Sequence, residues 1–201
     1  MREIVPPTLT EEIMMVAADS ATDAAARLRA LIDNPATAAQ AWELFDSLPT
    51  VRVEEITTGR WRGAEVGTGH PWDGMLVETG WYGKQFDSAD SVQPLLFAGP
   101  HGEIFAVDPR RVPLFLAGKV PVSALRPVRR SLGMLRPALR TRTPKARLRN
   151  LEFRGKSSAA MIYDHLPIID IFRRVDTDTL LGVMDMRGLN EPYFFVLYRD
   201  R

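Results

Sequence analysis

Apolar residues recur every three or four positions between residues 9 and 33, through Ile13, Val16, Ala17, Ala24, Leu28, Leu31 and Ile32. This spacing predicts an amphipathic helix. Thr10 stands as its cap, and Glu11 and Glu12 occupy the first turn, where the helix dipole favours acids. Asn34-Pro35 ends it, because the residue before a proline leaves the helical region. The same pair is expected to open a second helix to about Leu48, with Asn34 as cap and Pro35 at the first position. Ala38, Ala41, Trp42, Phe45 and Leu48 share one face of that helix.

Beyond Pro49 the period shortens towards two. Val51 to Arg62 is rich in β-branched residues and reads as a strand. Residues 64–74, with Gly67, Gly69, Pro71 and Gly74, read as a loop, and 73–81 as a short helix. Ser91–Ala98 and Gly102–Val107 read as strands joined by a hairpin turn at 99–102. Pro94 would place the first of them at a sheet edge. Prolines at 113, 121, 127, 137 and 144 allow only short helical pieces, near 122–130 and 131–140. From Ala146 five β runs follow, 146–154, 156–164, 167–175, 178–186 and 193–199. In the fourth, Leu181, Val183 and Asp185 oppose Leu180, Gly182, Met184 and Met186. In the fifth, Phe194, Val196 and Tyr198 oppose Tyr193, Phe195 and Leu197. Short connections imply antiparallel neighbours, and about eight strands are enough to close a barrel. The expected fold is therefore mainly β with N-terminal helices. Residues 1–50 form the helical segment. Residues 51–201 form a single antiparallel β-barrel domain, built from a half at about 40–110, a connection at 110–145 and a β meander at 146–201.

Composition narrows the chemistry. The 201 residues contain no cysteine, which excludes disulfides, thiolate metal sites and cysteine nucleophiles. No apolar run approaches the ~18 residues of a membrane-spanning helix. Glu3, Glu11 and Glu12 precede any apolar stretch, which does not suit a signal peptide. A cytoplasmic protein is expected. The formal charge of +1 hides an asymmetry. Arg110 to Arg154 holds eleven arginines and two lysines against Glu152 alone, a charge of +12. The other thirteen basic and 24 acidic residues carry −11. The basic segment either packs on the acidic remainder, meets an anionic membrane through the Leu and Arg interleaved around Leu132, Leu135 and Leu139, or binds nucleic acid. The last is disfavoured, because the aromatic and glycine pattern of nucleic-acid-binding sheets is missing from it.

Few residues offer chemistry. His70, His101 and His165 do not stand at metal-ligand spacing, and no metal site is expected. His70 and His101 lie in Gly/Pro loops and read as structural. His165 reads as a hydrogen-bonded strand-end residue or, alternatively, as a base or axial haem ligand. Neither a nucleophile-elbow serine nor a phosphate loop is found. Asp164, Asp170 and Asp185 lie among Ile, Leu, Phe and Met, where a carboxylate must be paired, hydrogen-bonded or neutralised. Lys84 and Arg173 are available partners. Structural ion pairs and a polar group inside a cavity are the competing readings. Trp61, Trp72, Trp81 and Tyr82, flanked by glycines, read as a barrel plug or as pocket lining.

Gly59-Arg-Trp-Arg-Gly63, Thr68-Gly-His-Pro-Trp-Asp-Gly74, Gly80-Trp-Tyr-Gly-Lys-Gln-Phe86 and Val92-Gln-Pro-Leu-Leu-Phe97 resemble the GXWXG family of bacterial proteins. Arg154-Gly-Lys, the stretch Ala160 to Arg173 and Leu181-Gly-Val-Met-Asp185 resemble the domain of unknown function that usually follows it. The Gly-x-Trp is also similar to that of lipocalins and fatty-acid-binding proteins, and Gly-x-Trp-x-Gly to that of nitrobindin-type haem barrels. The resemblance implies a lipocalin-like barrel holding a small hydrophobic ligand, such as a fatty acid or other lipid, without a cofactor. Its expected binding residues are Trp61, Trp81, Tyr82, Lys84, Tyr163, Asp170, Arg173 and Asp185. The alternatives are a haem barrel using His165, or an enzyme using Tyr163, Asp164, Asp170 and Asp185 on a lipid-like substrate. An oligomer is compatible with all three.

Overall fold

A computed structural model describes residues 9–99, 102–112 and 139–201, with side chains from Ser20 onward. The helices are α1 (Leu9–Asp33), α2 (Ala38–Ser47), α3 (Val53–Ile56) and α4 (Met75–Thr79). The strands are β1 (Gly59–Val66), β2 (Trp81–Phe86), β3 (Val92–Ala98), β4 (Ile104–Ala106), β5 (Ala146–Phe153), β6 (Lys156–Tyr163), β7 (Ile168–Arg174), β8 (Thr179–Met186) and β9 (Tyr193–Arg199).

The first helix lies where its periodicity places it, but it already includes Leu9, so Thr10 is inside its first turn and is not its cap. The second starts later than expected. Asn34 Nδ2 donates to the Ala30 carbonyl (2.9 Å) and so closes α1 instead of opening α2. Thr37 caps α2: its hydroxyl accepts from Gln40 N–H (3.3 Å) while its own N–H donates to Gln40 Oε1 (2.9 Å). This reciprocal pair satisfies donors that the helix start leaves orphaned.

Val51 to Arg62 is not one strand. Val51 bonds to β6 through Ser158 and Ala159, and the chain then turns through α3. Val53 and Ile56, three residues apart, fall on the same side of that turn and are both buried. Burial of this i, i+3 pair outweighs β propensity. Strand β1 begins only at Gly59. The short helix expected to reach residue 81 stops at Thr79, where Gly80 in the left-handed conformation (φ 76°) caps it and releases β2. His101 and nearly all of the pieces expected near 122–130 and 131–140 lie outside the described residues.

Every neighbouring strand pair is antiparallel. The ring runs β2-β1-β9-β8-β7-β6-β5-β3 and is closed by β2 against β3. It is a closed eight-stranded barrel, with β4 attached to β3 beside it. Strand β3 is therefore not an edge. Pro94 falls between Gln93 and Leu96, where the register against β2 slips, and an irregularity of this kind tolerates a residue without an N–H.

Alternation sends two apolar sets to opposite sides of the wall. Phe172, Leu180, Phe195 and Leu197 point inward, with Trp61, Phe86, Leu148 and Met161. Ile171, Leu181, Val183, Phe194 and Val196 point outward under α1 and α2, against Leu28, Leu44, Phe45 and Leu48. Helix α3 and Trp61 plug the end where β1 starts; the Trp61 indole N–H donates to the Ile56 carbonyl (3.1 Å). The segment after β1, residues 67–79, covers the other end. Among the described residues no helix is long and apolar enough to cross a membrane.

Candidate ligand-binding site

The site depends on a bulge. In a regular strand, residues three apart face opposite sides. Trp81 and Lys84 nevertheless both line the barrel interior, because the register of β2 against β3 shifts on either side of Gly83. Gly83 has φ 148°, and a Cβ there would lie 2.0 Å from the Trp61 carbonyl oxygen. Only glycine permits this bulge at this distance.

Lys84 crosses the interior to Asp170 on β7. Its Nζ donates to Asp170 Oδ2 at 2.7 Å and to the Pro94 carbonyl at 3.3 Å. Three rings surround the ammonium, with centroids at 4.9 Å (Phe195), 5.6 Å (Trp81) and 5.8 Å (Tyr163). The pair is almost sealed, with side-chain exposures of 4% and 2%. Burial pushes the Asp170 carboxyl above the ordinary aspartate range, and Lys84 opposes that shift. Burial, together with Asp170, raises the Tyr163 hydroxyl well above its ordinary value, so it stays protonated. Between these groups and the covering segment lies a cavity with about 50 Å³ of space that a water molecule can reach. Its walls are apolar: Leu95, Ile168, Met184 and Phe195 below, and Trp72, Met75 and Leu76 above.

The cover is held by its own polar network. Asp73 Oδ2 accepts the N–H groups of Thr68, Gly69 and His70 (2.8–3.0 Å). His70 Nδ1 accepts Trp72 N–H (3.0 Å), which requires the neutral ring. Glu65 Oε1 accepts Gly74 N–H (2.7 Å) and the Tyr193 hydroxyl (2.5 Å). Burial raises Glu65 above the ordinary glutamate range. These bonds place Trp72 and Tyr193 at the mouth of the cavity.

Two family models match the chain: GXWXG protein over residues 43–102, and Domain of unknown function (DUF4334) over residues 144–199. A protein from Thermomonospora curvata, solved by crystallography, is 36% identical, with 89% of this chain and 99% of that chain covered and a TM-score of 0.65. The chain belongs to the GXWXG family. No curated protein matches it significantly.

The GXWXG signature itself is architectural here. Its tryptophan, Trp61, is fully buried at the plugged end, with the Arg199 guanidinium 4.6 Å from its ring centroid. Its last glycine, Gly63, lies beneath the ring of Trp81. Trp61 was expected to bind ligand, but it does not line the cavity, because it enters the barrel from the opposite end.

Of the other expected site residues, Trp81, Lys84, Tyr163 and Asp170 converge on one cavity. Tyr82 does not. It faces outward, and its hydroxyl donates to Asp200 Oδ2 (2.7 Å). Arg173 is fully buried but lies outside the barrel beneath α2, 4.9 Å from the Phe45 ring centroid. It is one residue out of phase with Phe172 and three from Asp170, so alternation turns it to the helices. Asp185 is exposed on the outer wall, on the same side as Val183. Asp164 is exposed in the turn after β6 and pairs with Arg147 (2.9 Å). His165 is exposed beside it. His165, the histidine expected to hold a haem, lies outside the cavity, and no histidine lines the cavity among the described residues. Trp72, read as plug or pocket lining, is one of the cavity walls, whereas Tyr193, Glu65 and Asp73 were not expected in the site. Period-two alternation could have placed Tyr193 inside with Phe195, but a loop residue such as Asp73 carries no such signal.

Proposed function

We propose that this GXWXG protein binds a small hydrophobic ligand inside its barrel, a class that includes lipids. The observation that carries this reading is the apolar cavity between the covering segment and the buried Lys84–Asp170 pair. Apolar walls with a few convergent polar groups are what a small-molecule site requires. At ~10–15 Å³ per water site, the cavity holds roughly three to five waters, which on their share of liquid volume is on the order of 100–150 Å³ of ligand. That suits one ring or a short chain. A longer acyl chain would have to leave between α4 and the rim.

The test is native mass spectrometry of the purified protein, followed by solvent extraction and displacement of an uncharged apolar fluorescent probe. A co-purifying apolar molecule that competes with the probe supports the reading. An empty protein that binds no probe overturns it.

Acid–base catalysis is the second reading, now confined to Tyr163 and Asp170, since Asp164 and Asp185 are elsewhere. It draws support from a carboxyl with a raised pKa beside a phenol that stays protonated. It predicts that Asp170→Asn ends turnover with ligand binding intact. The proposed contact of Arg110–Arg154 with an anionic membrane gains no support from its described part. There Arg110 and Lys145 reach Asp108, Arg149 reaches Asp90 and Arg154 reaches Asp46. The lack of cysteine is compatible with the proposed cytoplasmic setting.

A further inference from the structure

The polar end of the cavity is electrically complete before any ligand enters. Lys84 carries one positive charge and Asp170 one negative charge, 2.7 Å apart, and both are buried. What remains unused is hydrogen-bonding capacity. Lys84 donates two of its three N–H groups, one to Asp170 and one to Pro94. Asp170 Oδ1 and the Tyr163 hydroxyl make no hydrogen bond among the described residues, and both residues line the cavity.

Resting on the binding function proposed above, we propose that the cavity selects a ring-sized ligand whose head is uncharged and both donates and accepts hydrogen bonds, such as an amide or an alcohol. An ionised carboxylate would bring a second anion beside Asp170 in a site with little water. Like charges in such a site are strongly disfavoured, and removing a carboxylate from water adds a further cost. A neutral head avoids both. Its N–H or O–H meets Asp170 Oδ1, and its oxygen accepts from the Tyr163 hydroxyl. The flanking apolar walls take the ring.

Benzamide and benzoate have nearly the same shape and differ in charge, and toluene lacks the head altogether. Binding of each to the full chain is measured by calorimetry near neutral pH. Benzamide binds at least about tenfold more tightly than benzoate, the difference of one hydrogen bond to a charged group or more. Tyr163→Phe, which removes no internal hydrogen bond, weakens benzamide by about tenfold and leaves toluene unchanged. Asp170→Asn leaves the lysine charge unopposed, and the order inverts so that benzoate exceeds benzamide. Should Asp170→Asn fail to fold, the wild-type ratio and Tyr163→Phe still decide. Benzoate binding as tightly as benzamide to the unmodified protein, or no effect of Tyr163→Phe, overturns the inference. Toluene binding as tightly as benzamide overturns the inference about the head while sparing the apolar cavity. If none of the three binds and the uncharged fluorescent probe is also rejected, the binding function itself falls.

Discussion

The six-membered ring of Trp81 lies directly over Gly63, so that a Cβ at residue 63 would stand 2.1 Å from two of its carbons. The last glycine of the GXWXG signature is therefore the floor on which a cavity-lining ring rests. Gly63→Ala forces Trp81 off this seat against its neighbours, at a cost of about 2 kcal/mol, typical of overpacking. Urea denaturation of the variant measures the loss. Trp81→Leu in the same chain makes room and recovers part of it, whereas an equal loss in single and double variants would show that the contact is not the cause.

The buried ion pair should behave as a unit. Lys84→Met leaves Asp170 buried without its cation and destabilises the protein by about 3–5 kcal/mol. Replacing both residues, as Lys84→Met with Asp170→Leu, removes the unpaired charge and restores most of that stability. A double-mutant cycle from chemical denaturation gives the coupling, and additive losses would contradict a direct pair.

Arg173 tests the boundary between wall and cavity. Its NH2 group donates to the Phe153 carbonyl at 3.0 Å, while Nε and the other terminal nitrogen are buried without a partner. Burial lowers its pKa, and Asp46 opposes this. A buried cation with two unsatisfied nitrogens contributes little to stability, so Arg173→Met lies within about 1 kcal/mol of wild type or above it. Because the side chain sits outside the barrel, ligand affinity is unchanged. A shift in affinity measured by calorimetry would contradict this placement.

The cover over the cavity should loosen in acid. Burial holds the His70 pKa below its ordinary 6.5, against the pull of Asp73 and Glu191 towards the charged form. The folded state then binds fewer protons than the unfolded chain. Its contribution to stability is present above pH 6.5 and is lost as pH falls through that value towards the depressed one. Protonation also removes the lone pair that receives Trp72 N–H. Protection of the amides across residues 67–79, measured relative to the intrinsic exchange rate at each pH, is expected to be lower at about pH 5.5 than at about pH 7.5. His70→Asn, whose side-chain oxygen accepts the same N–H without titrating, abolishes the difference.

Acid should also break the contacts of Arg110 and Lys145 with Asp108. Asp108 is 3% exposed and accepts from Arg110 (2.8 Å), with Lys145 at 3.1 Å. The Arg110 hydrogen bond, helped by Lys145, holds its pKa well below the ordinary 3.8. This stability is present above that value and is lost as pH falls below it. Asp108→Asn removes that part of the acid transition, which circular dichroism between about pH 4 and pH 2 would show.

The C-terminal five strands were legible residue by residue, because short turns and period-two alternation leave few other arrangements. The same alternation contains the answer for Arg173 and Asp185: counting from Phe172 and Leu180 turns both outward. The first half was less legible. Val51 to Arg62 has strand composition, yet the barrel end takes Val53 and Ile56 as a helical plug. The Thr37-x-x-Gln40 spacing carries the reciprocal cap, which the reading of Asn34-Pro35 as the helix start leaves out.

Sequence alone determined the family, the antiparallel β architecture with N-terminal helices, and the residue types able to form a polar site, because periodicity and turn chemistry act locally. Only the tertiary structure decided which of those residues share a cavity. Trp81 and Lys84 should face opposite sides of β2, and a bulge at Gly83 brings them to the same side. Asp170 meets Lys84 across 86 positions of chain because barrel closure joins β2 to β3. Neither the slip in register nor the closure is encoded in a local pattern, since each depends on which strand lies alongside.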